Sequence, residues 1–568
     1  MLLSSSLFAQ VYTDYLGFGH QQDIRVRSSS NSAITSDHPS LDGFPEEDYL
    51  PMGDASRFLA QASYGASWED LMEVNRLGYE VWLDRQLELS PSLHLPLLDT
   101  IWEEVAQIDP EITEDEAGER FFSKAFFRSA WYHRAMTAPD QLRQRMAFAF
   151  SEIMVISDLP DELEDSGQGL SDYYDILVRN SLGNYRDLLL EVSLHPTMGF
   201  YLSHFNNPRS DPQQNIRPDE NYAREVMQLF SIGLYELNLD GSIQLDSARV
   251  PIPTYSNEDI KEYAKVFTGL SGYPGFDEEE EEWEREFGLE FIIADHTRPM
   301  IMYEAMHEPG EKYLLRGEVV PAGQTGMEDI ESAIDNLFHH PNVGPFISRR
   351  LIQRLVTSNP TPDYIARVAS VFNDNGEGVR GDLSAVAKAI LLDGEARDCE
   401  HREGNLNRAM LREPILRKLQ YCRALEFQPT EDLSVFINPG FRFDWATGQM
   451  PLSANSVFNF FLPDYQPNGY LSDLDLYGPV FQIHNSSTAI KYVNEVNRWA
   501  FYESPLGFLE LPEPESQAPE AGEEGDNVGW ALAASETDAL WELSATPDGL
   551  LDHLDILLTH GQMGLDTR

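Results

Sequence analysis

The sequence predicts a mostly α protein: a large multi-helix globular domain with a short β hairpin insertion. Three observations lead there. Apolar residues recur at helical spacing along most of the 568-residue chain, and helix-start signatures stand ahead of those runs. A hydrophobic fraction of 42%, with 30 Phe, 24 Tyr and 9 Trp, supplies enough apolar surface for a substantial core.

Residues 1–45 are rich in Ser, Asp and Gly without a sustained period, and read as a leader or flexible arm. Helical patterns begin beyond it. Ser67 with Asp70 forms a capping box ahead of Leu71, Val74 and Leu77, and Gly78 closes that helix. A second helix runs through Trp82, Leu83 and Leu87. Phe121–Met136 places Phe122, Phe126 and Ala130 one turn apart, and Leu142–Ile156 has a wide apolar face of Met146, Phe150, Ile153 and Met154. Thr325 and Glu328 box the start of a helix through Ile330, Ile334 and Leu337. Thr361-Pro362 is an N-cap followed by proline, leading into Ile365, Val368 and Phe372, and Asp382 caps a helix through Val386 and Ile390.

Two stretches depart from this pattern. Asp277–Glu286 is a charge run, read as a solvated insertion or helix face, and β-branched and aromatic residues between Leu289 and Tyr303 read as a short hairpin beside it. Leu511–Asp526, rich in Pro, Glu, Ala and Gly, reads as a mobile linker before an amphipathic piece with Leu551, Leu554 and Leu558. The expected organisation is an arm (1–45), a helical domain (46–500) with an acidic insertion (271–300), and an acidic linker with a C-terminal helix (501–568).

The charge balance is lopsided: 40 Lys+Arg against 95 Asp+Glu leaves −55. Such a surface repels phosphate backbones, which excludes DNA, RNA and anionic membranes as partners. It is read either as attraction for cations or a basic partner, or as a solvated coat suited to salty surroundings. No run approaches the roughly 18 consecutive apolar residues that span a bilayer. Met1–Gln10 is short and apolar but lacks a basic start, so it reads as an incomplete signal peptide or as an ordinary terminus. Cys399 and Cys422 pair in an oxidising compartment or sit as small buried apolar groups in a reducing one; the sequence leaves both open.

The segment from Arg217 to Gly233 carries most of the candidate chemistry. Pro218 and Asp219 suit a helix start, and Tyr222, Val226, Leu229 and Phe230 line one face. Asn221, Arg224, Glu225 and Gln228 lie three and four apart on the other side and form one polar stripe. Its functional reading is a carboxylate, Glu225, poised by Arg224 and Asn221; its structural reading, which is preferred, is a salt-bridge network or solvated face. The second candidate is the turn from His307 to Lys312, where His307 would ligate a metal or move a proton and Lys312 would hold an anion. Its alternative is a surface loop with incidental charges, and His296 lies nearby in sequence. His195, His204 and the pair His339-His340 sit at helix ends, where caps account for them. The stretch from Asn373 to Asp382 lacks the twelfth-place Glu of a calcium loop, having Ser384 there, and reads as a turn. Walker, GxSxG and HExxH patterns do not occur, and no GxGxxG follows a strand.

Several segments, in order, resemble the bacterial family known as domain of unknown function 1800. They are Arg57–Ala66, Gly78–Leu87, Asn221–Glu225 through Gly233, Phe267-Thr-Gly269, His307–Lys312, His340-Pro341 with Phe346-Ile347, and Arg412-Glu-Pro414. The resemblance implies a mainly helical, exported bacterial protein, periplasmic or secreted. It also implies an exported neighbour resembling the sulfatase or alkaline phosphatase superfamily, and no established reaction. This chain has Ala149-Phe-Ser-Glu-Ile153 where many members carry His-Asn-His, and His307-Glu308 where His-Asp is usual. The first departure speaks against a His-rich metal site common to all members.

Two functions follow as expectations. One is a binding or accessory protein that partners another exported protein. The other is a metal-assisted hydrolase acting on a cell-surface or environmental polymer, with Glu225 and His307 as ligands or acid–base groups and Arg224 and Lys312 on substrate anions. A divalent metal is the cofactor that only the second reading needs.

Overall fold

In the computed structural model, residues 50–108, 124–274, 287–398, 409–429, 441–501, 530–532, 540 and 542–564 are described. The 1–45 arm, the charge run 277–286, the 511–526 linker and Cys399 lie outside them. The chain is mostly helical, and one continuous apolar core runs through the compact unit Glu47–Met563.

Helix starts fall where local hydrogen bonding puts them. Ser67, Ser256 and Thr325 each accept the amide three residues on, and the side chain at that position answers the cap amide. Thr361 accepts from the Tyr364 amide ahead of Pro362, and Asp382 accepts from Ser384 and Ala385. Four buried helices form the centre: Gln141–Ser151, Gly167–Asn180, Tyr185–Leu194 and Val343–Leu355. Gln141–Ser151 packs on Gly167–Asn180, and Val343–Leu355 packs on both Gln141–Ser151 and Pro362–Asn373. Near the C-terminus, Pro547–Thr559 returns to pack on Met52–Ala62 and Pro414–Ala424. No helix among the described residues is long and apolar enough to cross a membrane.

Two helices are shorter than their apolar pattern. Gln141–Ser151 stops before Ile153 and Met154 because the Ile153 amide bonds the Phe150 carbonyl (2.9 Å), three residues back, in place of its helical partner four back. Both side chains remain buried, so the apolar pattern outlasts the helix. The helix expected from Pro218 to Gly233 spans Asn221–Gln228 only. At its start the Asp219 amide is drawn to Asn207 Oδ1 (2.8 Å), and at its end the turns widen, the Ile232 and Gly233 amides reaching five and six residues back to the Met227 carbonyl.

The short antiparallel pairing near the acidic insertion is present, with a different partner from the local hairpin expected between Leu289 and Tyr303. Ala294–Asp295 pairs with Tyr273–Pro274, and Ile301–Met302 with Leu270–Ser271. The two sides of the charge run therefore zip to each other.

A second β element had no signal in the sequence. Residues 234–254 fold into a lobe in which three segments pair mutually, through Tyr235 with Pro253, Leu237 with Ile243 and Leu245 with Pro251. The Glu236 amide donates to the Ile252 carbonyl (2.8 Å), Ile252 to Gln244 (3.1 Å) and Gln244 back to Glu236 (2.7 Å). The ladder closes on itself as a triangle.

Candidate functional site: an arginine-lined cleft

The residues singled out in the sequence occupy two separate places. On Asn221–Gln228, Asn221 is exposed and Arg224 pairs along the helix surface with Glu220, at 3.5 Å. Glu225 points inward, 5% exposed, and its Oε2 has no hydrogen-bond partner. Burial raises its carboxyl pKa, and Arg224 only partly opposes this. Gln228 accepts a hydrogen bond from the Tyr255 hydroxyl (3.0 Å).

His307 and Lys312 meet elsewhere, around a residue the sequence did not mark. His307 Nε2 lies 2.9 Å from Asp329 Oδ2, and its Nδ1 lies 2.9 Å from the Thr268 carbonyl. Lys312 Nζ donates to Asp329 Oδ2 (2.5 Å), the Glu308 carbonyl (2.6 Å) and the Gly310 carbonyl (3.1 Å). Burial pushes the Asp329 carboxyl up, but the hydrogen bonds from His307 and Lys312 outweigh it and hold the pKa below the ordinary value. An ammonium has three donors, and all three are taken. The group is a closed tie between the 307–312 turn and the Gly326–Phe338 helix. Neither Glu225 nor Arg224 shares a hydrogen bond or ion pair with it.

A better-developed site opens beside Gln228. It is a cleft of about 360 Å³ between the 234–254 lobe, the Phe458–Asp464 segment and the Val343–Leu355 helix. That helix turns its apolar side (Ile347, Leu351, Ile352) into the core and supplies Arg349, Arg350 and Arg354 to the cleft. Leu234, Tyr235, Phe346 and Phe458 form apolar walls, and Gln228 and Asn459 add amides.

The arginines are unequally matched. Arg354 Nη1 lies 3.4 Å from Glu152 Oε2, with its guanidinium over the Phe461 ring at 4.6 Å. Arg350 lies over Phe346 (5.1 Å) and donates to the neutral Gln353 Oε1 (3.2 Å). Arg349 stands over Tyr477 at 5.7 Å, and its buried Nε has no hydrogen-bond partner. Among the described residues neither Arg349 nor Arg350 forms an ion pair, although Asp464 also lines the cleft. Desolvation, with Arg349 alongside, pulls the Arg350 pKa down to about 9, which leaves it cationic at neutral pH.

More positive charge lies behind the cleft. Arg145 is fully buried; its Nη2 donates to the Arg354 carbonyl (2.6 Å), while its Nε and Nη1 have no partner. Arg412, at the start of the Pro414–Ala424 helix, is drawn down to about 9 by desolvation and by Arg145. The acids set against these cations are Glu152, which accepts from Asn459 Nδ2 (3.2 Å), and Glu413, which accepts from Gln449 Nε2. Burial raises the Glu152 carboxyl well above its ordinary value; Arg354 opposes this and Glu413 adds to it.

Sequence reasoning missed this constellation. Arg145 with Glu152, Arg354 and Glu413 come from three separate parts of the chain, and of these only Arg412-Glu413-Pro414 stood out, as a family likeness. The available signal was Arg349-Arg350, one turn before Arg354 in a chain so poor in basic residues. Among the described residues no group of three or more His, Cys, Asp or Glu side chains gathers as a metal-ligand set.

Fold and site together define a helical protein with an arginine-lined, apolar-walled cleft. The chain belongs to the family described as "Protein of unknown function (DUF1800)", whose model matches residues 57–568. No curated protein and no solved structure matches the chain.

Proposed function

We propose that this is an anion-binding protein of the extracytoplasmic space, accessory to another exported protein, and that the Arg349–Arg350–Arg354 cleft holds the anion. One observation carries the reading: Arg349 and Arg350 stand in a partly buried cleft with no carboxylate paired to them, in a chain of net charge −55. Asp464 acts on Arg350 from beyond ion-pair distance and compensates it only in part, and a bound anion offsets the remaining cost of desolvation. Planar guanidinium groups match carboxylate, phosphate and sulfate oxygens in pairs of hydrogen bonds. An exported partner resembling the sulfatase or alkaline phosphatase superfamily, as the sequence resemblance implies, would handle the same oxyanions. What supports binding over metal-assisted hydrolysis is the arrangement of the residues hydrolysis needs. Arg224 is engaged with Glu220, Lys312 is saturated, and Glu225 contacts neither Lys312 nor His307.

The test is calorimetric titration of sulfate and of phosphate at constant ionic strength. Wild type is expected to bind one of them saturably, and Arg349→Gln with Arg350→Gln is expected to weaken that binding by about tenfold or more. Absence of saturable binding by wild type overturns the reading.

A further inference from the structure

Resting on that anion-binding reading, we infer that the cleft is a docking site for a protein partner: a neutral or basic surface that presents one acidic side chain between apolar ones.

The cavity is at the small end for an organic ligand site, about 360 Å³. It has room for an acidic side chain together with its immediate neighbours. Apolar surface nevertheless continues outward on both sides. On the lobe, Leu234, Tyr235 and Ile243 form the lip and are each close to half exposed, and beyond them Leu239, Leu245 (52%) and Val250 (55%) face solvent. On the opposite side, Phe458 (47%) and Leu462 form the lip, with Phe481 beyond them. The Gln482 side chain accepts the Leu462 amide (2.8 Å), which fixes that flank to the lip. Single exposed apolar residues need no explanation, but flanking patches rimming a charged pocket mark a protein interface. A free sulfate or small carboxylate would leave both flanks wet. A protein segment covers them.

Charge selects the partner further. At −55 the body repels strongly acidic proteins before contact. The anchor that reaches Arg349 and Arg350 is therefore an isolated Asp or Glu on a surface that is otherwise neutral or basic. Buried at the cleft floor against guanidinium groups and ringed by apolar contacts, such an anchor has the anatomy of an interface hot spot.

The probe is a phage-displayed library of random dodecapeptides, selected on the immobilised full-length chain, with the Arg349→Gln/Arg350→Gln chain as counter-screen. Enriched peptides are expected to carry Asp or Glu flanked by Leu, Phe, Tyr or Trp. As synthetic peptides they should bind the double variant about tenfold more weakly or worse. The exposed-flank variants Leu245→Ser and Val250→Ser, outside the cleft itself, should weaken the peptides about three- to tenfold while leaving sulfate binding unchanged. Enrichment without acidic residues, equal affinity for the double variant, or no enrichment on a chain that binds sulfate each overturns the docking inference and leaves the anion-binding reading standing. Loss of sulfate binding in wild type removes both.

Discussion

Asn342 clamps Leu237: its Oδ1 accepts the Leu237 amide at 2.9 Å, while its Nδ2 donates to the Ile232 and Tyr235 carbonyls, both at 2.8 Å. Asn342 is wholly buried and immediately precedes the arginine-bearing helix, so one side chain ties the lobe wall of the cleft to its cationic floor. Asn342→Ala strands an amide and two carbonyls, and the expected loss is about 2–4 kcal/mol in urea denaturation. Sulfate affinity should fall as well, with every arginine intact. An unchanged denaturation midpoint would contradict the clamp.

Lys418 and Asp444 form a second buried tie. Nζ to Oδ1 is 2.7 Å, the Tyr132 hydroxyl donates to Oδ2 (2.7 Å), and both charged side chains are 0% exposed. Lys418→Met removes one charge and leaves the other stranded, for an expected loss of about 3–5 kcal/mol. Lys418→Met with Asp444→Leu should recover a large part of that, measured by the same denaturation. A double variant no better than the single would show that the geometry of the pair, rather than the stranded charge, dominates.

Stability should decline on acidification. His204 is buried with Nε2 donating to the Ser193 carbonyl (2.9 Å) and its ring stacked on Tyr222, and burial lowers its pKa to about 4. His340 is also lowered to about 4, by burial and then by Arg316 and Arg380. Both are held neutral in the fold, whereas the unfolded chain protonates them near the ordinary value of 6.5. Below that value the unfolded state binds more protons. The stabilising effect is therefore complete above about pH 6.5 and is lost as the pH falls toward 4, by on the order of 3 kcal/mol for each histidine. Denaturation of wild type and His204→Phe across that range checks it: the variant should show the shallower slope, and equal slopes would exclude His204 as a contributor.

Gly233 lines the cleft at φ 73°, where a Cβ would meet the Phe346 ring at 3.0 Å. Left-handed backbone costs a non-glycine residue about 1–2 kcal/mol, and the ring must also shift. Gly233→Ala should therefore lower stability by at least that amount and displace Phe346 from under Arg350, reducing sulfate affinity. Wild-type stability in the variant would contradict both.

What the sequence made legible was local. Ser67 with Asp70, Thr325 with Glu328, and Thr361 with Pro362 mark helix starts because cap, amide and partner lie within four residues. The cleft was not legible, because its charges come from separate helices and meet only through packing. Arg145 reaches Arg354 across the interface of two core helices, and Glu152 reaches Arg354 from the loop that follows Gln141–Ser151. Arg412-Glu413-Pro414 stood out only as a family likeness, and the fold gives it a physical role behind the cleft. The Asn221–Gln228 stripe failed as one unit because its members face different surroundings: Asn221 solvent, Glu225 the interior, and Gln228 the cleft. His307 and Lys312 meet around Asp329, which gave no local sign.

The triangular lobe has a consequence for how this surface survives in solution. Leu245 and Val250 stand in water beside the paired backbone, with Leu239 on the adjoining turn, a combination that ordinarily seeds cross-β stacking by offering an open strand edge. Here each segment has both of the others as neighbours, and the Asn342 side chain takes the Leu237 amide and Tyr235 carbonyl. A strand arriving from another molecule meets side chains but few unpaired peptide groups to extend. The protein can keep an adhesive surface on permanent display while withholding the backbone register that fibril growth requires.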